Sequence, residues 1–164
     1  MKTKTINIYS FNELSEEAKK TAIEKLYDIN VNHDWWEFTY EDAKNIGLKI
    51  TSFDLDRNRH AKGELILSFA EVIANILKDH GETCDTYKTA EKYMEWWQPV
   101  FNKYMETEEG EEELMEIEED FLKDLLEDYS IILQREYEYL TSEEAIIETI
   151  EANEYEFTEG GKLA

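Results

Sequence analysis

The chain is poor in the residues that most often carry chemistry. It has one cysteine, Cys84, one proline, Pro99, and three histidines, His33, His60 and His80. A single cysteine excludes an intramolecular disulfide. With no Cys-x-x-Cys or His-x-x-x-His spacing, no zinc signature exists. Cys84 sits between Glu82 and Asp85, and neighbouring negative charge disfavours the thiolate that a nucleophile needs. Basic residues are also scarce. Seventeen Lys and Arg stand against forty Asp and Glu, for a formal net charge of −23. The pairs Lys19–Lys20 and Arg57/Arg59 are too scattered to form a positive footprint. This argues against direct binding of nucleic acid or anionic lipid. No run of eighteen apolar residues is present, so no membrane span is expected. The opening MKTKTINIYS has lysines but no apolar core of a secretory leader, and a cytoplasmic setting is expected.

Large core side chains, by contrast, are plentiful. Ten Tyr, seven Phe and four Trp accompany a hydrophobic fraction of 41%. Disordered acidic chains are poor in such residues, so this chain is expected to fold despite its charge. Its 164 residues fit one α+β domain, 1–164.

Periodicity places the elements. Thr5–Phe11 alternates as a strand. A helix over about 15–28 starts at Ser15. A second helix, capped by Asn32 or Asp34, ends at Gly47 in a left-handed conformation. Leu48–Leu55 reads as a strand, 57–63 as a turn or loop, and Glu64–Leu67 as a third strand. Ser68, with Glu71 three residues on, caps a third helix that stops at Gly81. A fourth helix over 83–104 contains Pro99, which predicts a kink or two shorter helices. Residues 105–113 read as a polar hinge. Leu114, Ile117, Phe121, Leu125, Tyr129, Ile132 and Leu140 mark one long amphipathic helix over about 111–140. Thr141 or Ser142 caps a last helix, Asn153 is its left-handed stop, and YEFTEGGKLA closes a short hairpin. The expected architecture is several helices packed on one small, mainly antiparallel sheet. That sheet combines the N-terminal, 48–55 and C-terminal strands.

Charge is concentrated. Residues 106–128 hold thirteen acids and one base, Lys123, a net −12. Glu108, Glu109, Glu112, Glu116, Glu119, Asp120 and Asp124 are the candidate partner-binding carboxylates. Like charges three and four apart weaken a helix, so this acidic stretch is either a solvated surface or a docking face for a basic partner. Trp35–Trp36 and Trp96–Trp97 add aromatic candidates, since adjacent helical residues point about 100° apart and only one of each pair can enter the core. Trp35 and Trp96 are the two to inspect for exposure. The run DLDRN places Asp54, Asp56 and Asn58 like the opening of a calcium loop. Arg59 stands where that loop needs glycine, however, and Leu65 where it needs glutamate. No catalytic, metal or cofactor site is expected.

The segments IYSFNELSEEAKKTAIEKLYDINVNHDWWEFTYEDAKNIG, SFDLDRNRHAKGEL and EYLTSEEAIIETIEANEYEFTEGGK resemble a family of small acidic bacteriophage and prophage proteins, some loosely labelled antitoxins. The resemblance covers most of the chain and carries no catalytic motif. It implies a protein that acts on host machinery. The expected partner is then a basic host protein, such as a nucleic-acid-binding defence protein. A regulatory or homodimeric interaction module is the alternative.

Overall fold

Hydroxyl side chains start the helices where local sequence places them. In the computed structural model, which describes residues 1–164, the Ser15 hydroxyl accepts from the Ala18 amide and begins α1, Glu16–Lys25. Ser68 accepts from Glu71 at the start of α3, Phe69–Asp79. Ser142 accepts from Ala145 at the start of α6, Glu143–Ala152. Each cap satisfies an amide that the first helical turn leaves without a partner. α2, Glu37–Ile46, departs from this pattern. Its N-cap is Trp36 with no side-chain cap, so Asn32 and Asp34 do not serve. The preceding chain instead turns through bonds from Val31 to Asp28 and from Trp35 to His33. Gly47 ends α2 at φ 103° as expected. Asn153 does not end α6 in the left-handed region (φ −96°); Glu154 takes that conformation at φ 50°.

The fold is α+β, with six helices and two antiparallel two-stranded sheets. β2, Leu48–Asp54, pairs with β3, His60–Leu65, with an irregularity between Ile50 and Ser52. β3 therefore begins inside the segment read as a loop, and Ile66–Leu67 lie outside it. β1, Tyr9–Ser10, pairs with β4, Glu156–Phe157. The expected single sheet is thus two sheets. The first strand is also shorter than its alternation suggested, because its partner β4 has only two residues to offer. Phe11–Glu13 continue as a single 3-10 turn capped by Ser10 and Glu13.

Two compact units divide the chain: Met1–Trp35 with Arg135–Ala164, and Trp36–Gln134. In the first, Phe11, Leu14, Ala18, Ala22, Ile146, Ile150 and Phe157 form the core. Gly161 closes the C-terminal turn at φ 86°, where a side chain would collide with the Ala18 carbonyl. In the second, Ile46, Leu48, Val72, Ile73, Ile76, Tyr93, Phe121, Leu125 and Tyr129 are buried together.

Two long helices meet within the acidic stretch, and the second holds most of its acids. α4, Asp85–Thr107, is one helix that includes Pro99, not two shorter ones. Pro99 lies on the exposed side between buried Trp97 and partly buried Val100 and Phe101. The carbonyl that Pro99 leaves without an amide donor is that of Glu95, an exposed residue. α5 runs Glu111–Leu140, as its apolar period indicated. The expected hinge of 105–113 contracts to three residues, Glu108–Gly110. Glu108 (φ 60°) and Gly110 (φ 93°) both adopt left-handed backbone there.

Candidate acidic docking surface

That tight turn makes α4 and the first part of α5 an antiparallel helical pair. The Thr89 hydroxyl donates to Asp128 (2.6 Å), and four residues on the Tyr93 hydroxyl donates to Asp124 (2.6 Å). One helical turn forward on α4 thus matches one turn back on α5. The inner sides of the pair pack Tyr93 edge-on against Phe121 at 5.6 Å, and Trp97 against Phe69 at 5.0 Å. Phe101 stacks on Trp97 at 4.3 Å.

Along one edge of this pair runs a row of carboxylates, Asp120, Asp124 and Asp128, at four-residue intervals on α5. Lys92 is the cation set against them, its Nζ 3.6 Å from Asp124. The same ammonium lies over the rings of Tyr93 (5.1 Å) and Trp96 (5.3 Å). Burial and then the charges of Asp85 and Asp124 push the Asp128 carboxyl up to about 6, against the opposing pull of Thr89 and Lys92. Burial first, then the bond to Asp124, raises the Tyr93 hydroxyl well above the usual phenol range, so it stays a proton donor. Burial also raises Glu118.

The seven carboxylates singled out in the sequence fall as follows. Glu108 and Glu109 sit in the turn, where Lys103 approaches Glu109 at 3.9 Å. Glu112, Glu116, Glu119 and Asp120 are exposed on α5, and Asp124 is half-buried in the edge row. At 100° per residue, Glu112, Glu116, Glu119, Asp120, Asp124 and exposed Glu127 occupy one continuous arc, which Lys123 interrupts. Trp96 joins them. It is 52% exposed, and the Tyr93 ring supports it edge-on at 5.1 Å. Trp35 does not. It is 9% exposed, with its ring 5.6 Å from Tyr137. This corrects its candidacy for partner contact, because the aromatic partner holding it in the core lies a hundred residues away in sequence.

Three polar arrangements escaped the sequence reading. Arg59, at the entry to β3, donates to Glu127 (2.6 Å), Gln134 (2.8 Å) and Ser130 (3.2 Å) on α5. Its guanidinium fork clamps the β2–β3 hairpin to that helix, a use that ammonium geometry does not match. His80, at the end of α3, shares its Nδ1 with the Thr86 hydroxyl at 2.6 Å. Its Nε2 lies 3.2 Å from Asp42, which also accepts from Tyr129 at 2.8 Å. The contact with His80 holds the Asp42 carboxyl below the usual range despite partial burial. Thr86 is 2% exposed and Tyr129 fully buried, so the cluster ties four helices together from inside, while the Asp42 side chain is 52% exposed. The third is the Lys92–Tyr93–Trp96 support itself. A lysine four residues before an exposed tryptophan was a readable signal, but the register bringing it to Asp124 was not.

No group of three or more His, Cys, Asp or Glu side chains is arranged to hold a metal ion. No helix is long and apolar enough to cross a membrane. No protein-family model, curated protein or solved structure matches the chain.

Proposed function

We propose that the protein is a binding protein rather than an enzyme, and that its α4–α5 face occupies the basic groove of a nucleic-acid-binding protein. Linear charge density carries this reading. Six carboxylates share the arc from Glu112 to Glu127, with Lys123 among them and Arg59 and Lys92 paired to Glu127 and Asp124. At ~1.5 Å of rise per residue, one carboxylate falls about every 4 Å along that face, near the ~3.4 Å phosphate spacing of a single strand. A helix presents these charges on a rigid rod, so little ordering is needed on binding. Trp96, braced at the rim, supplies the aromatic anchor that binding surfaces concentrate energy in. Steering by a field of this sign accelerates encounter with a basic groove and weakens with salt.

The resemblance to acidic phage proteins supports a host or defence protein as the target, in the host cytoplasm. The test is capture of bacterial nucleic-acid-binding proteins on the immobilised protein. Bound proteins are expected to be released both by raised salt and by excess duplex DNA. The combined variant Glu112→Gln, Glu116→Gln, Glu119→Gln, Asp120→Asn is expected to fold and to capture none of them. Capture by that variant at moderate salt would exclude the reading. Capture insensitive to salt but lost on Trp96→Ala would favour the alternative, an interaction module working through apolar contact.

A further inference from the structure

A groove in the first unit has chemistry complementary to a segment of the same chain. It encloses about 620 Å³ and runs beside β1, with Ile8, Tyr9, Phe11, Ile150 and Tyr155 as its apolar lining. Four carboxylates rim it: Glu13, Glu151, Glu154 and Glu156. No cation lines it. Residues 1–7 lead out past Ile8, which lines its edge, and all of residues 1–8 are exposed. They contain Lys2 and Lys4 and no acid, in a chain where acids outnumber bases by more than two to one.

The same segment is patterned as a strand yet has no strand beside it. Ile6 and Ile8 alternate with polar residues and are 62% and 48% exposed. β1 pairs with β4 on one side, and β4 turns its far side to Leu163 and Ala164. The other edge of β1 has no strand. An open edge continued by an exposed apolar alternation is a template for pairing. The capping bond from the Ser10 amide to Glu13 uses one group on that edge, which leaves the pairing to residues before it.

We propose that this groove receives the Lys2–Asn7 segment of a second copy, giving a two-fold arm-exchanged dimer. Self-complementarity argues for a second copy: the cationic, strand-forming arm and the anionic groove lie on one chain, so a two-fold pair fills two grooves at once. Ile6 reaches the apolar lining, and Lys2 and Lys4 reach the carboxylates.

Charge exchange tests the dimer. Wild-type protein is expected to run at twice the chain mass by light scattering at low salt. Variant one, Lys2→Glu with Lys4→Glu, and variant two, Glu151→Lys with Glu154→Lys, should each run as monomers. An equimolar mixture should return to the dimer mass, because each arm then meets a groove of opposite sign. Ile6→Asp by itself should be monomeric. A monomeric wild type, or single variants that stay dimeric, or a mixture that fails to associate, would each overturn the proposal. Circular dichroism confirms that each variant remains folded.

Discussion

At the scale of single residues, the acidic character of the chain reaches into its interior. Asp128 is the clearest case, with a carboxyl pushed up to about 6 by burial and by two neighbouring acids. Folding therefore favours its protonated form. The associated stability is complete below the unfolded value of ~3.9 and is lost as pH rises through about 6. Asp128→Asn keeps an acceptor for the Thr89 hydroxyl and removes the charge. It is expected to raise the denaturation midpoint at about pH 7.5, with the gain vanishing near pH 4. A variant less stable than wild type at neutral pH would contradict this. Asp42 works with the opposite sign. Its lowered value, due first to His80, stabilises above the unfolded pKa, and that contribution is lost as pH falls. Tyr129→Phe removes the other donor to Asp42. The Asp42 side chain is 52% exposed, so water can replace the lost bond. A cost near the low end of the range for a bond to a charged group, about 1–2 kcal/mol in urea denaturation, is expected.

At the scale of elements, local chemistry was legible and partner choice was not. Ser15, Ser68 and Ser142 act on amides three residues away, within reach of any reading of the sequence. The bounds of α5 followed from its apolar stripe, which a single helix suffices to define. β3 begins at His60 because β2 supplies partners back to Asp54, and nothing in the run RNRHAKG announces that. β1 stops short for the converse reason. Asp42 meets Tyr129 across 87 positions, and Arg59 meets Gln134 across 75, so both sites were invisible to local pattern. Among the predicted contact residues, Glu112, Glu116, Glu119, Asp120 and Asp124 share one arc of α5 and Trp96 is exposed on α4, while Trp35 is buried against a distant ring. Pro99 shows how context overrides propensity, since α4 continues through it on its exposed side. Replacing it with alanine restores an amide donor to the helix. Pro99→Ala is expected to stabilise by about 1–3 kcal/mol, below or equal to the full cost of a mid-helix proline. An unchanged or lower urea midpoint would show that the helix has already accommodated the ring.

At the scale of the whole molecule, a net charge of −23 opposes compaction. Twenty-five acids and ten bases fall in the unit Trp36–Gln134, a net −15, and fifteen and seven in the other, a net −8. Added salt should therefore raise the thermal midpoint, and the combined Gln/Asn variant should depend on salt less steeply. A midpoint flat from low to moderate salt would mean that internal pairing already balances the charge. About half of the excess, a net −12, lies on residues 106–128. The most direct measurement is displacement. Bacterial DNA-binding proteins are loaded on immobilised duplex DNA at low salt, and the protein is passed over them. The wild type should elute a defined subset, as free duplex does, while the combined variant of Glu112, Glu116, Glu119 and Asp120 should elute none. Elution by free duplex but not by the wild-type protein, or equal elution by the variant, would contradict nucleic-acid mimicry.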